Sequence, residues 1–152
     1  DEKHEDVSLA DLVEESLSLI SHQLTNNHIS VIIEKHHNPI LKLAKSSFKH
    51  IVINIVNNAK DQIMTTNPEN RSISIMLDAS LHEAIIEIRD HAGGIPLSII
   101  DKIFDPYFST KGEKGTGVGL YMAKMIIEEH LQGTISVTNS VDGAIFEIKL
   151  PI

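Results

Sequence analysis

The sequence predicts one α/β domain of two layers, a mixed and mostly antiparallel sheet packed on three main helices. Three stretches carry apolar residues three and four apart, the helical period, and six shorter ones alternate or are rich in β-branched residues. The strands come in pairs between helices. That order is not the strict strand–helix alternation of a doubly wound nucleotide fold.

Ser8 stands before Leu9, Leu12, Val13, Leu17 and Ile20, a capped amphipathic helix that fades near the turn signal Asn26-Asn27. Ile29 to Glu34 alternates and reads as a strand, with a second short strand over Ile40 to Leu43. Ser46 or Ser47 then caps a helix to about Met64, with Phe48, Ile51, Ile55 and Ala59 on one face. Beyond the turn-rich Thr65 to Asn70, Ser72 to Asp78 and Ala84 to Asp90 form a hairpin near Ser80. Leu97 to Ile103 reads as a short helix after Pro96, and Pro106 to Thr116 as a loop without periodicity. A helix from about Gly117 to Leu131 is ended by Gly133, and strands Thr134 to Asn139 and Ala144 to Leu150 flank a turn at Asp142-Gly143.

At 152 residues, 41% apolar and 22% charged, the composition is that of one globular domain rather than a disordered chain. No apolar run approaches a membrane span, and the charged opening Asp1-Glu2-Lys3-His4-Glu5-Asp6 is unlike a signal peptide. Cysteine is absent, which excludes disulfides and thiolate metal sites. The net charge of −8 argues against broad nucleic-acid binding. It leaves room for a small anion, because a few amides and one or two lysines hold a phosphate inside an acidic protein. The nine histidines show no i, i+4 pair with a carboxylate, so scattered surface histidines are favoured over a zinc site.

Four stretches carry candidate chemistry. Asn54 and Asn58, four apart, project from one helix face, either as ordinary inter-element hydrogen bonders or as neutral oxygen ligands for Mg²⁺. Asp90 precedes His91-Ala92-Gly93-Gly94-Ile95-Pro96, where two glycines allow close approach to a flat ligand. An ionised carboxylate there accepts only, which suits the amino group of adenine and rejects guanine; a helix-capping turn is the alternative. Lys114-Gly115-Thr116-Gly117-Val118-Gly119-Leu120 alternates glycines at a helix start, an anion-binding pattern that is neither a P-loop nor the dinucleotide fingerprint. Ahead of it, Phe104-Asp105-Pro106-Tyr107-Phe108 and Lys111 suit either the anchored base of a lid or a satellite core cluster, with Lys111 and Lys114 aimed at phosphate.

Taken in order, these stretches resemble one family over nearly the whole chain, from Ser8 to Pro151: the catalytic and ATP-binding domain of bacterial two-component sensor histidine kinases. Asn54-Ile55-Val56-Asn57-Asn58-Ala59 is similar to the N box and Asp90 through Pro96 to the first glycine box. Ile103 through Lys111 is similar to the F box, Lys114 through Leu120 to the second glycine box, and Gly143 through Pro151 to the closing strand. The resemblance implies the two-layer ATP-binding fold of that superfamily. It implies that Asn58 coordinates the Mg²⁺ bridging the ATP phosphates, with Asn54 and Asp61 on the same helix. Asp90, Ala92, Gly94 and Ile95 would surround the adenine, and Phe104, Lys111, Lys114, Gly115, Thr116, Gly117, Val118, Gly119 and Leu120 would form the lid over the triphosphate. The implied reaction moves the γ-phosphoryl group to a histidine on another domain, largely by positioning and charge neutralisation.

ATP-hydrolysing members of the wider superfamily carry a glutamate one turn before the metal-binding Asn. Here Asn54, an amide with no useful basicity, occupies that position and disfavours hydrolysis as the main reaction. Other departures from the pattern are His91 for the usual Asn, Ala92 for a frequent Gly, Asp61 for a frequent Lys, Lys45 for a common Asp and Ala144 for a common Thr. His4-Glu5 lacks the Arg and Pro of a phospho-accepting box. Residues 1–7 are therefore expected to be the end of a linker from absent dimerisation helices, and 8–152 the catalytic domain. Its partners would be its own phospho-accepting dimerisation domain and, indirectly, a response-regulator receiver domain, with no nucleic acid and no direct membrane contact. Alone it is expected to be a monomer, and to work in the cytoplasm where ATP is available. The alternatives are a nucleotide-binding regulatory module, or a serine kinase or ATPase of the same superfamily.

Overall fold

The computed structural model describes residues 3–108 and 119–152. Five strands form the main sheet: β2 (Ser30–Lys35), β4 (Ser72–Ala79), β5 (Glu83–Arg89), β7 (Ala144–Pro151) and β6 (Thr134–Asn139), side by side in that order. Only the β2–β4 pair is parallel; the other three pairs are antiparallel. A separate two-stranded ribbon pairs β1 (His4–Ser8) with β3 (Ile40–Ala44). The helices are α1 (Leu9–Ser18), α2 (Ser21–Asn26), α3 (Lys45–Thr66) and α4 (Gly119–Met125).

Register explains why the sheet buries one face. The Cα pairings run Ile33↔Ile75, Ile75↔Ile88, Ile88↔Phe146 and Phe146↔Val137, one apolar row across all five strands. Leu77, Ile86 and Ile148 form a second row. Alternation at period two puts both rows on the helix side. A slip of one residue in any strand would expose its share, and each buried aliphatic side chain contributes about 1.5–3 kcal/mol. Opposite lies α3, whose Phe48, Ile51, Val52, Ile55, Val56, Ala59 and Ile63 are buried. It packs between α1 and α4 and touches β5.

Several local expectations change. The segment expected only as linker is ordered from His4, because β3 supplies a partner strand for an otherwise polar sequence. The first helix does start at Ser8, whose Oγ accepts from Asp11 N, while Pro39 O and Asn38 Oδ1 receive the amides of Leu9 and Ala10. It breaks at Leu19-Ile20 into α1 and α2. Helix α3 begins one residue before the expected serine caps, with Ala44 at the cap position and no side-chain cap. Asn67 ends it in the left-handed conformation (φ 48°).

Leu97 to Ile103 is not a regular helix. Pro96 O accepts from both Ile99 N and Ile100 N, and a single 3₁₀ turn follows at Ile100–Lys102. Helix α4 widens into a π-turn at Ile126–His130. The left-handed residue after it is Gln132 (φ 59°), not Gly133. Gly133 serves another need: a β-carbon there would lie 2.3 Å from Lys149 O.

Candidate nucleotide-binding site

Helix α3 carries the first half of the candidate site. Asn54, Asn57, Asn58 and Asp61 follow i, i+3, i+4, i+7, so they share one stripe. All are half-buried at the edge of the core. The Nδ2 of Asn54 and the Oδ1 of Asn57 are shielded from solvent and take no hydrogen bond among the described residues. Buried amide atoms left unpaired cost about 1–3 kcal/mol each, so this stripe has unmet capacity for a polar ligand. No group of three or more His, Asp or Glu among the described residues could hold a metal. A divalent cation here would rely on an amide oxygen such as that of Asn58 and on ligand phosphates and water, the donor set Mg²⁺ favours. The residues fit that ion.

Asp90, just past β5, carries the second half. Its side chain is 4% exposed, and it is the one charged residue in the core among the described residues. Oδ1 accepts from Ala92 N at 3.1 Å and Ala144 N at 3.2 Å. Among the described residues Oδ2 accepts nothing. Burial pushes the carboxyl above its ordinary range, and the two backbone amides pull it part of the way back. When ionised, this carboxyl would offer an acceptor-only oxygen at the end of the sheet, a match for an N–H donor on a ligand.

After Asp90 the chain turns sharply. Gly93 (φ 96°) and Gly94 (φ 77°) occupy backbone conformations that side chains resist. Ala92 is buried beneath this turn, and Ile95 packs against the core. The turn leans on the β6–β7 hairpin. Asn139 accepts from Ile95 N and donates to Ile95 O, both at 2.8 Å, and Gly93 N donates to Asp142 O at 2.9 Å. His91, which departs from the family pattern, places Nδ1 2.9 Å from Asp142 Oδ2 and holds the Asp142 carboxyl below its ordinary range.

Phe104 meets Phe146 edge-on, with centroids 6.1 Å apart, and Lys124 Nζ lies 5.5 Å above its ring. It joins the core to the base of α4. Gly119 and Leu120 open α4, and helix α3 packs against that helix. Lys111, Lys114, Gly115, Thr116, Gly117 and Val118 lie outside the described residues. The structure therefore places Asn54, Asn58 and Asp61 on one helix stripe and Asp90, Ala92, Gly94 and Ile95 in one turn. The supporting roles of Asn139, Asp142 and Gly143 were missed, although Asp142-Gly143 was visible as a turn. A separate cavity of about 530 Å³, lined by Leu17, Leu24, His28 and Val31 among others, lies at the β2 edge of the sheet, and none of the candidate residues lines it.

The fold is shared with known proteins. Residues 44–152 match the family described as "Histidine kinase-, DNA gyrase B-, and HSP90-like ATPase". Sporulation kinase A of Bacillus subtilis is 32% identical over 108 residues, which cover 70% of this chain and 17% of that protein. Among solved structures, the catalytic domain of histidine kinase ThkA superposes with a TM-score of 0.82 at 27% identity, covering 97% of each chain. Full-length ShkA, solved in complex with AMPPNP, gives a TM-score of 0.84 at 18% identity over 99% of this chain and 31% of its own, a likeness of fold. The chain spans between 12% and 27% of the length of the first curated relatives it matches. It belongs to the histidine kinase-, DNA gyrase B- and HSP90-like ATPase family, and the relatives and catalytic domains it matches are those of sensor histidine kinases.

Proposed function

We propose that this chain binds Mg-ATP and hands the γ-phosphoryl group to a histidine on a separate dimerisation domain in a two-component signalling protein. The observation that carries the reading is Asp90: a buried carboxylate with one oxygen held by two backbone amides and the other accepting nothing among the described residues. That oxygen would take the adenine amino group, and the turn through Gly93 and Gly94, where a β-carbon on Gly93 would meet no described atom within 4 Å, would let the base approach. Asn58 would supply a ligand to Mg²⁺, which neutralises phosphate charge when bound. Asn54 and Asp61 share its stripe, and Lys111, Lys114, Gly115, Thr116, Gly117, Val118, Gly119 and Leu120 would close over the phosphates.

The chain's own part in the transfer is positioning. Asn54 is an amide and has no proton-accepting role toward water, so phosphoryl transfer to a histidine is favoured over hydrolysis. No helix among the described residues is long and apolar enough to cross a membrane. The reading puts the domain on the cytoplasmic side, where ATP is, acting as a monomer on its own dimerisation domain. The response regulator would take the phosphoryl group from that domain.

The test is incubation of the chain with γ-labelled ATP, Mg²⁺ and a separately produced dimerisation domain from a matching sensor kinase. Acid-labile label on a histidine of the second protein is expected. ATP bound without transfer would instead support a nucleotide-binding regulatory module, and rapid phosphate release would support an ATPase.

A further inference from the structure

The turn between β6 and β7 makes a second set of contacts whose purpose lies outside the hairpin itself. Within the turn, Ser140 N donates to Gly143 O at 2.8 Å, and Gly143 N donates to Ser140 Oγ at 3.0 Å, so its shape is set locally. Outward, it grips alternate residues of the segment after Asp90: His91 through Asp142 Oδ2, Gly93 through Asp142 O, and Ile95 through Asn139. The Asn139 contact is the one made through two hydrogen bonds. One side-chain amide satisfies both the N–H and the C=O of Ile95, as a neighbouring strand would. A β-carbon on Gly94 would sit 2.9 Å from Asn139 Oδ1 and 3.3 Å from Gly143 O, so the turn is moulded against this amide.

Residues 91–95 need such a mould. They carry no helix or sheet hydrogen bonds, and two of them are left-handed glycines, the residues that lose most freedom on ordering. A ligand that needs one loop shape binds more weakly by the fraction of time that shape is absent. We propose that Asn139 is a positioning residue for nucleotide binding: without touching the nucleotide, it holds residues 93–95 in the shape that leaves Asp90 Oδ2 open to the base. This rests on the reading of Asp90 and Asn58 as the adenine and magnesium ends of one site. It adds that the adenine end is preorganised by a residue from the far end of the chain.

The test compares wild type, Asn139→Ala and Asn58→Ala by calorimetry, with ADP without metal and with ATP in the presence and absence of Mg²⁺. Losing both Asn139 hydrogen bonds is expected to weaken ADP and ATP about tenfold alike. The ratio of ATP affinities with and without Mg²⁺ stays at the wild-type value in Asn139→Ala and collapses in Asn58→Ala. Unchanged affinities in Asn139→Ala overturn the positioning role and leave the site reading standing. Wild type binding neither nucleotide overturns both. A general loosening, with the magnesium ratio lost as well in Asn139→Ala, also overturns it. A measurement independent of any variant is hydrogen exchange at the Ile95 amide of the unliganded wild type. Slow exchange is expected, and exchange at the rate of an open loop would refute the clamp.

Discussion

Gly143 stands so close to Asp90 that a β-carbon on it would lie 1.9 Å from the Asp90 carbonyl oxygen and 2.9 Å from Oδ1. No rotamer relieves a clash with backbone. The neighbouring ladder bond, Asp90 N to Ala144 O at 3.1 Å, would have to open. Gly143→Ala is therefore expected to destabilise the fold by at least about 1–3 kcal/mol, the usual cost of overpacking, and to remove nucleotide binding with it. Urea unfolding beside calorimetry checks both, and wild-type stability in the variant would contradict the packing argument.

Asp90 links stability to pH in a direction that can be stated in advance. Burial raises its carboxyl above the ordinary 3.8, so the folded state holds the proton more tightly than the unfolded one. Its contribution is fully present below that ordinary value and is lost as pH rises through the raised folded value. Asp90→Asn removes the burden of a buried charge and keeps an oxygen for Ala92 N and Ala144 N. The stability of Asp90→Asn relative to wild type should therefore rise with pH across that window and then level off. Using this difference cancels the opposite trend of Asp142, whose carboxyl is depressed by His91 in both proteins. ATP binding should fall by at least about tenfold, because the amide can present a donor to the adenine amino group. A pH-independent difference in urea midpoints would show that the burial is not felt.

On α3, Asn58→Ala should separate ligand from fold. The side chain is half-buried and is not among the core residues of the helix, so its loss should change stability by no more than about 0.5 kcal/mol. Magnesium-dependent enhancement of ATP binding should disappear. Thermal melts and titrations with and without Mg²⁺ check the pair. A large fall in melting temperature would mean that Asn58 serves the core.

The parts of this protein that were legible in the sequence are those written in local period. The row Ile75, Ile88, Phe146 falls at every second position of strands whose intervening residues are mostly polar, and the α3 face repeats at three and four, so sheet and helix could be read directly. Strand β1 could not, since His4-Glu5-Asp6-Val7-Ser8 has no apolar alternation and is a strand only because β3 lies beside it. The helix expected after Pro96 shrinks to turns for a related reason. Leu97 is 81% exposed and Ile103 is the one buried residue of the segment, too small a packed face to sustain a regular helix. At the candidate site, type and spacing single out Asn54, Asn58 and Asp90, and the family resemblance is what gives them expected roles. Asn139 was not, because its partner Ile95 is 44 residues away and nothing local marks an amide at a strand end as a clamp.

Gly119 offers a sharper separation of ligand from fold than the other glycines. A β-carbon there meets nothing described within 4 Å, and its φ is not in the left-handed region. It opens α4, where alanine is a better helix former than glycine by up to about 1 kcal/mol. Among the described residues, then, nothing gives glycine at 119 a structural reason. Gly119→Ala should leave stability unchanged or slightly raised. If the residue is glycine so that phosphate can approach the helix start, the same variant should bind ATP several-fold more weakly while the weaker contacts of adenosine alone are untouched. Titration with ATP and with adenosine, beside a thermal melt, reads all three quantities. Equal ATP affinity in variant and wild type would remove Gly119 from the site and leave its glycine without a physical reason.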